Sequence, residues 1–175
     1  MKLSQLKIEY QPVEDRVLVR VATDQASEVV LALTRRCVKL LWPALLGLAR
    51  GSPQVAAHAD PLARDAVLGF QHEQAVRQAD FSRPYEPEVR DRPLGEAAIL
   101  VARIQTGRDA AGLSVLTLQP WEGQGISLTL DATLLHATCR LLQQAVDASD
   151  WDLKLALPDA AAAMGEAGAG GAMLN

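Results

Sequence analysis

The run Val29-Val30-Leu31-Ala32-Leu33-Thr34-Arg35-Arg36-Cys37-Val38-Lys39-Leu40-Leu41-Trp42 decides the class of this fold. Val29, Leu31 and Leu33 alternate with the period of a strand. Thr34 has the side chain of a helix N-cap, and the chain is almost wholly apolar from Cys37 to Leu48. A strand that feeds directly into such a helix predicts α+β structure. Pro43 removes a backbone donor, so a kink near Trp42 or a restart there is expected, and Gly51-Ser52-Pro53 ends the helix. Upstream, Val17, Val19 and Val21 point to one face and Arg16, Leu18 and Arg20 to the other, while residues 3–10 read as an irregular first strand.

Downstream, Asp60 caps and Pro61 starts a second helix, whose stripe is Leu62, Ala66, Val67 and Phe70. Residues 80–96, with Pro84, Pro87 and Pro93 among charged side chains, read as a connector. Strand patterns return from Ala98, at Leu113 to Leu118 and at Ile126 to Leu130. Asp131 then caps a helix to about Ala148. Its spacing places Leu134, Leu135, Thr138, Leu141, Leu142 and Ala145 inward and His136, Arg140, Gln143 and Asp147 outward. Trp151 to Leu157 alternates as a last strand would, and the Ala/Gly run 159–175 reads as a flexible tail.

Leu31-Ala32-Leu33-Thr34 and Leu128-Thr129-Leu130-Asp131 each end a third strand and cap a helix, and the same offset of 97 superposes Leu45 on Leu142. The halves 3–79 and 97–157 therefore read as one β-β-β-α idea written twice, although leucine is common enough here for short matches to arise without duplication. The expected architecture is a single α+β domain over 1–158. It has an antiparallel sheet from the two halves and about three helices mainly on one face.

With 175 residues, 49% of them hydrophobic, the chain is long enough for one sizeable core, and no apolar run approaches a membrane span. No secretory signal precedes the first strand, and two cysteines make no disulfide framework, so a cytoplasmic setting is expected. The net charge of −4 falls mostly in balance, with Asp159 and Glu166 in the tail, which leaves no broad positive field for duplex nucleic acid.

Catalytic motifs are missing from the pattern. His58, His72 and His136 sit in three segments, and His136–Cys139 reads as a surface His beside a packed Cys, so neither a metal nor a cofactor is expected. His72-Glu73 has Val76 where a zinc-protease motif needs its second His. Cys37 and Cys139 fall in apolar helices, where thiols are inert. Gly123-Gln124-Gly125 leads into a strand, so it is a turn and not a phosphate loop.

Three groups remain as candidate contacts. Arg35, Arg36 and Lys39 crowd a helix start, where the macrodipole disfavours cations, and Arg16 and Arg20 extend the cluster. Internal carboxylates from Glu14, Asp15 or Glu28, or an external anion, would compensate them. Leu41, Trp42, Leu45 and Leu46 are either core or a homodimer seam. Phe81, Arg83 and Tyr85 either staple the connector or form a docking strip.

Glu14-Asp15-Arg16, Leu33-Thr34-Arg35-Arg36 and Leu41-Trp42-Pro43 together resemble a pattern in uncharacterised proteobacterial proteins. The resemblance covers the first fifty residues and implies a soluble bacterial protein without an assigned activity. The functional expectation is a non-enzymatic protein-binding or assembly protein, a homodimer or the partner of another protein. The alternative is a single-stranded nucleic-acid binder using the sheet face and the basic cluster. The seven aromatics in the chain, few of them in strands, count against stacking platforms.

Overall fold

Three antiparallel strands open the chain, β1 (Leu3–Gln11), β2 (Arg16–Thr23) and β3 (Glu28–Leu33), and α1 (Arg35–Arg50) follows at once. The computed structural model describes residues 3–79, 85 and 91–158. A single turn α2 (Pro53–Ala56) and the helix α3 (Pro61–Gln78) come next. The second half holds β4 (Ile99–Leu100), β5 (Arg103–Arg108), β6 (Ser114–Gln119), β7 (Ile126–Leu130) and α4 (Ala132–Asp147). Helix starts follow the expected chemistry. The Thr34 hydroxyl accepts from the Cys37 amide at 3.2 Å, Asp60 from Leu62 and Ala63, and Asp131 from Leu134 at 2.8 Å.

The α+β class holds, with two sheets in place of one. The orders are β1-β2-β3-β4 and β5-β6-β7, and β4 pairs with β3 in parallel while the meanders are antiparallel. The two sheets share one stretch of chain. The Val101 amide donates to Ala32 of β3, and the Ala102 amide donates to Gln119 of β6. Residues 99–108 thus leave one sheet and enter the other within two residues.

The offset of 97 holds for the second and third strands and the helix of each half, while the pairing places β5 one residue later, 98 from β1. Helices α1 and α4 are each 16 residues long and begin 97 apart, as do their caps. Val17, Val19 and Val21 correspond to the buried Ser114, Leu116 and Leu118. The buried α1 positions Val38, Leu41, Trp42, Leu45, Leu48 and Ala49 correspond to Leu135, Thr138, Cys139, Leu142, Ala145 and Val146, all buried in α4. Packing is reciprocal as well: α1 lies against β5 and α4 against β1, and the two helices touch. The halves form a pseudo-dimer within one chain, and their shared core joins both helices to both sheets.

Three expectations are corrected. Pro43 does not restart α1, which is continuous. The proline is on the exposed side of the helix, where a missing backbone donor costs least. His136 points inward, 2% exposed, because α3 packs over that side of α4. Residues 151–158 form no strand. Their carbonyls are taken by side chains instead: Asp152 by Arg35, Leu155 by Gln143 at 2.7 Å and Ala156 by the Trp42 indole at 3.3 Å. The tail 159–175 and most of the connector lie outside the described residues. Gly123 and Gly125 are turn glycines as expected. The first has φ +92°, and a Cβ on the second would meet the Leu118 carbonyl oxygen at 2.2 Å.

The equivalence of the halves has an energetic consequence. Leu45 and Leu142 are both fully buried, so Leu45→Ala and Leu142→Ala should each cost about 3 kcal/mol in urea unfolding. Leu40→Ala, on the solvent side of α1, should stay within about 0.5 kcal/mol. A cheap Leu142→Ala would break the equivalence.

Candidate functional site

The basic residues do not converge. Because Val17, Val19 and Val21 face the helices, Arg16 and Arg20 point from the opposite side of the sheet, away from α1. Arg16 lies 3.7 Å from Glu14, while Arg20 lies 3.2 Å from Glu9 and 3.9 Å from Glu28. Arg35 spends its guanidinium on the Asp152 carbonyl at 2.9 Å. Among the described residues Arg36 and Lys39 are exposed, with no ion pair of their own. Glu14 and Glu28 therefore compensate Arg16 and Arg20, as expected for that part of the cluster, but make no ion pair with Arg35, Arg36 or Lys39. Asp15 accepts from the Tyr10 hydroxyl at 2.7 Å and from the Trp151 indole at 2.6 Å, which with the nearby Arg35 charge lowers its pKa.

The apolar set Leu41, Trp42 and Leu45 is buried in the chain's own core, and Leu46 is half-buried against it. These side chains offer no exposed seam. Phe81 and Arg83 lie outside the described residues. Tyr85 is described, and its hydroxyl donates to Glu28.

Glu28 is the centre of a network that sequence reading missed. Only 6% exposed, it accepts from Tyr85 and, at 2.9 Å, from Arg92, which also reaches Glu96 at 3.0 Å. Burial pushes its pKa upward, but the hydrogen bonds from Tyr85 and Arg92 and the charges of Arg92 and Arg20 outweigh burial, and the net shift is down. This staples the connector to β3; it is a structural network without a nucleophile.

A second missed pair is His72 of α3 with His136 of α4, whose Nδ1 atoms are 3.3 Å apart. Burial, with His72 alongside, pushes His136 down to about 4. His72 is lowered by burial and by Arg140, against an upward pull from Glu73. Two neutral rings sharing one proton satisfy each other. Among the described residues no three His, Cys, Asp or Glu side chains come together as a metal set. Burial also raises Cys37 to about 11 and Cys139 to about 12, which keeps both protonated and unreactive.

The feature suited to recognition lies where α4 crosses β1. A groove of about 470 Å³ is lined by Leu3 to Ile8 on the strand, by Leu134, Ala137 and Leu141 on the helix, and by Ala79 and Tyr85. Leu6 and Leu141 are only half-buried. Among the described residues no strand pairs with the outer edge of β1, which is nine residues long. At the pseudo-equivalent place between α1 and β5, Leu141 is replaced by Ala44, and Arg108 ties the end of β5 to the Gly51 and Leu48 carbonyls that end α1. One groove is leucine-rich; the other, about 330 Å³, is shallower and bordered by Ala44, Gly47 and Arg108. The signal was legible in part. The spacing placed Leu134 and Leu141 inward, but the gap left between them and β1 is set by helix position.

Compared with known proteins, the chain matches no family model, no curated protein and no solved structure. No helix among the described residues is long and apolar enough to cross a membrane.

Two measurements check this assignment of charges. Both histidine pKa values are depressed on folding, so the unfolded chain binds the protons first and stability falls as pH drops from about 6.5 toward 4. Wild type should lose about 2 kcal/mol across this window, and His136→Leu should flatten that slope without touching the acid-induced loss at lower pH from Glu28 and Asp15. Second, Arg35→Gln should cost about 1 kcal/mol by releasing residues 151–158, while Arg36→Gln with Lys39→Gln should change stability by less than about 0.5 kcal/mol. Equal costs would mean that Arg36 and Lys39 have structural partners.

Proposed function

We propose that this chain is a non-enzymatic protein-binding or assembly module that docks an extended strand along the outer edge of β1. The observation that carries this reading is the outer edge of β1 from Leu6 to Gln11, with which no strand among the described residues pairs, beside the apolar groove of α4. An added strand would bond to the outward amides and carbonyls, and every second side chain would enter the groove against Leu134 and Leu141. Edge strands are normally blunted by lysine, proline, bulges or cover. β1 has a register shift only at Leu3/Gln5, and its single lysine, Lys7, is neutralised by Glu9 at 2.7 Å. The thiols, both buried and unpaired, suit a reducing cytoplasm. The single-stranded nucleic-acid reading has less support, since the arginines on the outer sheet face are matched by carboxylates.

The test is uptake of labelled extended peptides that alternate valine with threonine, followed by fluorescence anisotropy and by hydrogen exchange of the β1 amides. Binding should protect β1 and weaken about tenfold or more in Leu141→Asp, whereas Leu40→Asp on the opposite helix should bind as wild type. Peptide binding untouched by Leu141→Asp would move the site elsewhere. Salt-dependent oligonucleotide binding lost in Arg36→Gln/Lys39→Gln would favour nucleic acid.

A further inference from the structure

Just beyond the ends of α1 and α4 the two halves part. Their equivalence still holds for the first residues past the helices: the Ser52 amide donates to the Ala49 carbonyl at 3.1 Å, and the Ser149 amide to the Val146 carbonyl at 3.0 Å. Two residues further on, Gln54 stands in the first half where Trp151 stands in the second. Trp151 is buried; its indole N–H donates to Asp15 at 2.6 Å and its ring meets Tyr10 edge-on at 5.7 Å. Asp15 corresponds to Gly112, and both have left-handed φ, 50° and 78°. Tyr10 pairs with Val17 and Arg108 with Ser114, so Arg108 is the counterpart of Tyr10. Gln54, Arg108, Gly112 and Ser114 all line one cavity of about 140 Å³. One place in the repeated frame thus holds an indole, and its equivalent, beside an exposed Gln54, is a cavity.

We infer that this cavity binds a small, uncharged, flat heteroaromatic molecule of about the size of an indole. Size and lining set that chemistry. The volume is below the roughly 300 Å³ at which pockets for drug-sized ligands begin, which suits one or two rings. The walls are largely aliphatic, with Leu48, Leu130 and Leu135 among them. One cation and one anion line the cavity, so it has no net charge to hold an ion, and both are already engaged. Arg108 donates to the Gly112, Leu48 and Gly51 carbonyls, and Asp131 accepts from the Leu134 amide. Two buried polar groups remain for a ligand. Ser114, 6% exposed, stands where the first half has Val17, and its hydroxyl has no hydrogen bond among the described residues. His136 lines the same cavity; its Nδ1 meets His72, but its Nε2 has no partner among the described residues. A buried polar group left unpaired is costly, and a ring N–H or ring nitrogen would satisfy it. The cavity shares no lining residue with the groove beside β1.

Titration of the full-length protein with indole and with benzimidazole, followed by calorimetry and by amide chemical shifts, tests the inference. Both should bind with dissociation constants of about 0.1–1 mM, the range open to nine heavy atoms. The shifts should centre on Ser114, residues 52–54 and the first turn of α4. Ser114→Val, which restores the residue of the first half, should weaken benzimidazole about fivefold or more. Ala132→Trp starts from an exposed position on the cavity rim, so it leaves the core as it is and should abolish binding, with circular dichroism confirming the fold. It serves also if Ser114→Val fails to fold. No saturable binding of either compound up to about 5 mM overturns the inference, as does binding that both variants leave unchanged. Acetate or phosphate binding there more tightly than indole would overturn the assigned chemistry.

Discussion

A three-stranded meander followed by one helix cannot bury that helix by itself, and the rest of this structure follows from that constraint. Helix α1 buries Val38, Leu41, Trp42, Leu45, Leu48 and Ala49, a stripe wider than one small sheet face covers. A second, similarly arranged unit covers the rest. Helix α1 lies against β5 of the second unit, α4 lies against β1 of the first, and the helices pack against each other. The crossing at Val101 and Ala102, where one peptide bonds to each sheet, keeps the two units in register.

Symmetry between the halves is also what makes their differences informative. Equivalent buried positions hold comparable side chains, apart from exchanges such as Trp42 for Cys139, where the larger residue also bonds to residues 151–158. The edges diverge more. Arg108 ties the second unit's edge to the end of α1, whereas the first unit's edge is lined by leucines. Only the first half carries α3 before its successor, and α3 turns His136 from a surface residue into a buried partner of His72. The buried His72–His136 pair and the edge of β1, which no described strand pairs, are thus both consequences of asymmetry laid on a repeated frame.

Local sequence determined the elements. The β-branched alternation at Val17, Val19 and Val21 and the caps Thr34, Asp60 and Asp131 act within a few residues, and so does the repeat at offset 97. Each therefore appears in the structure where the pattern places it. What only the tertiary structure decided is how surfaces are shared. Arg35, Arg36 and Lys39 looked like one cluster with Arg16 and Arg20, but strand parity sends the latter to the opposite face, and Arg35 finds a carbonyl 117 residues away. Trp151 to Leu157 has a strand's alternation, but side chains from α1 and α4 take its carbonyls. Whether a strand such as β1 is central or outermost depends on long-range packing that no local pattern encodes.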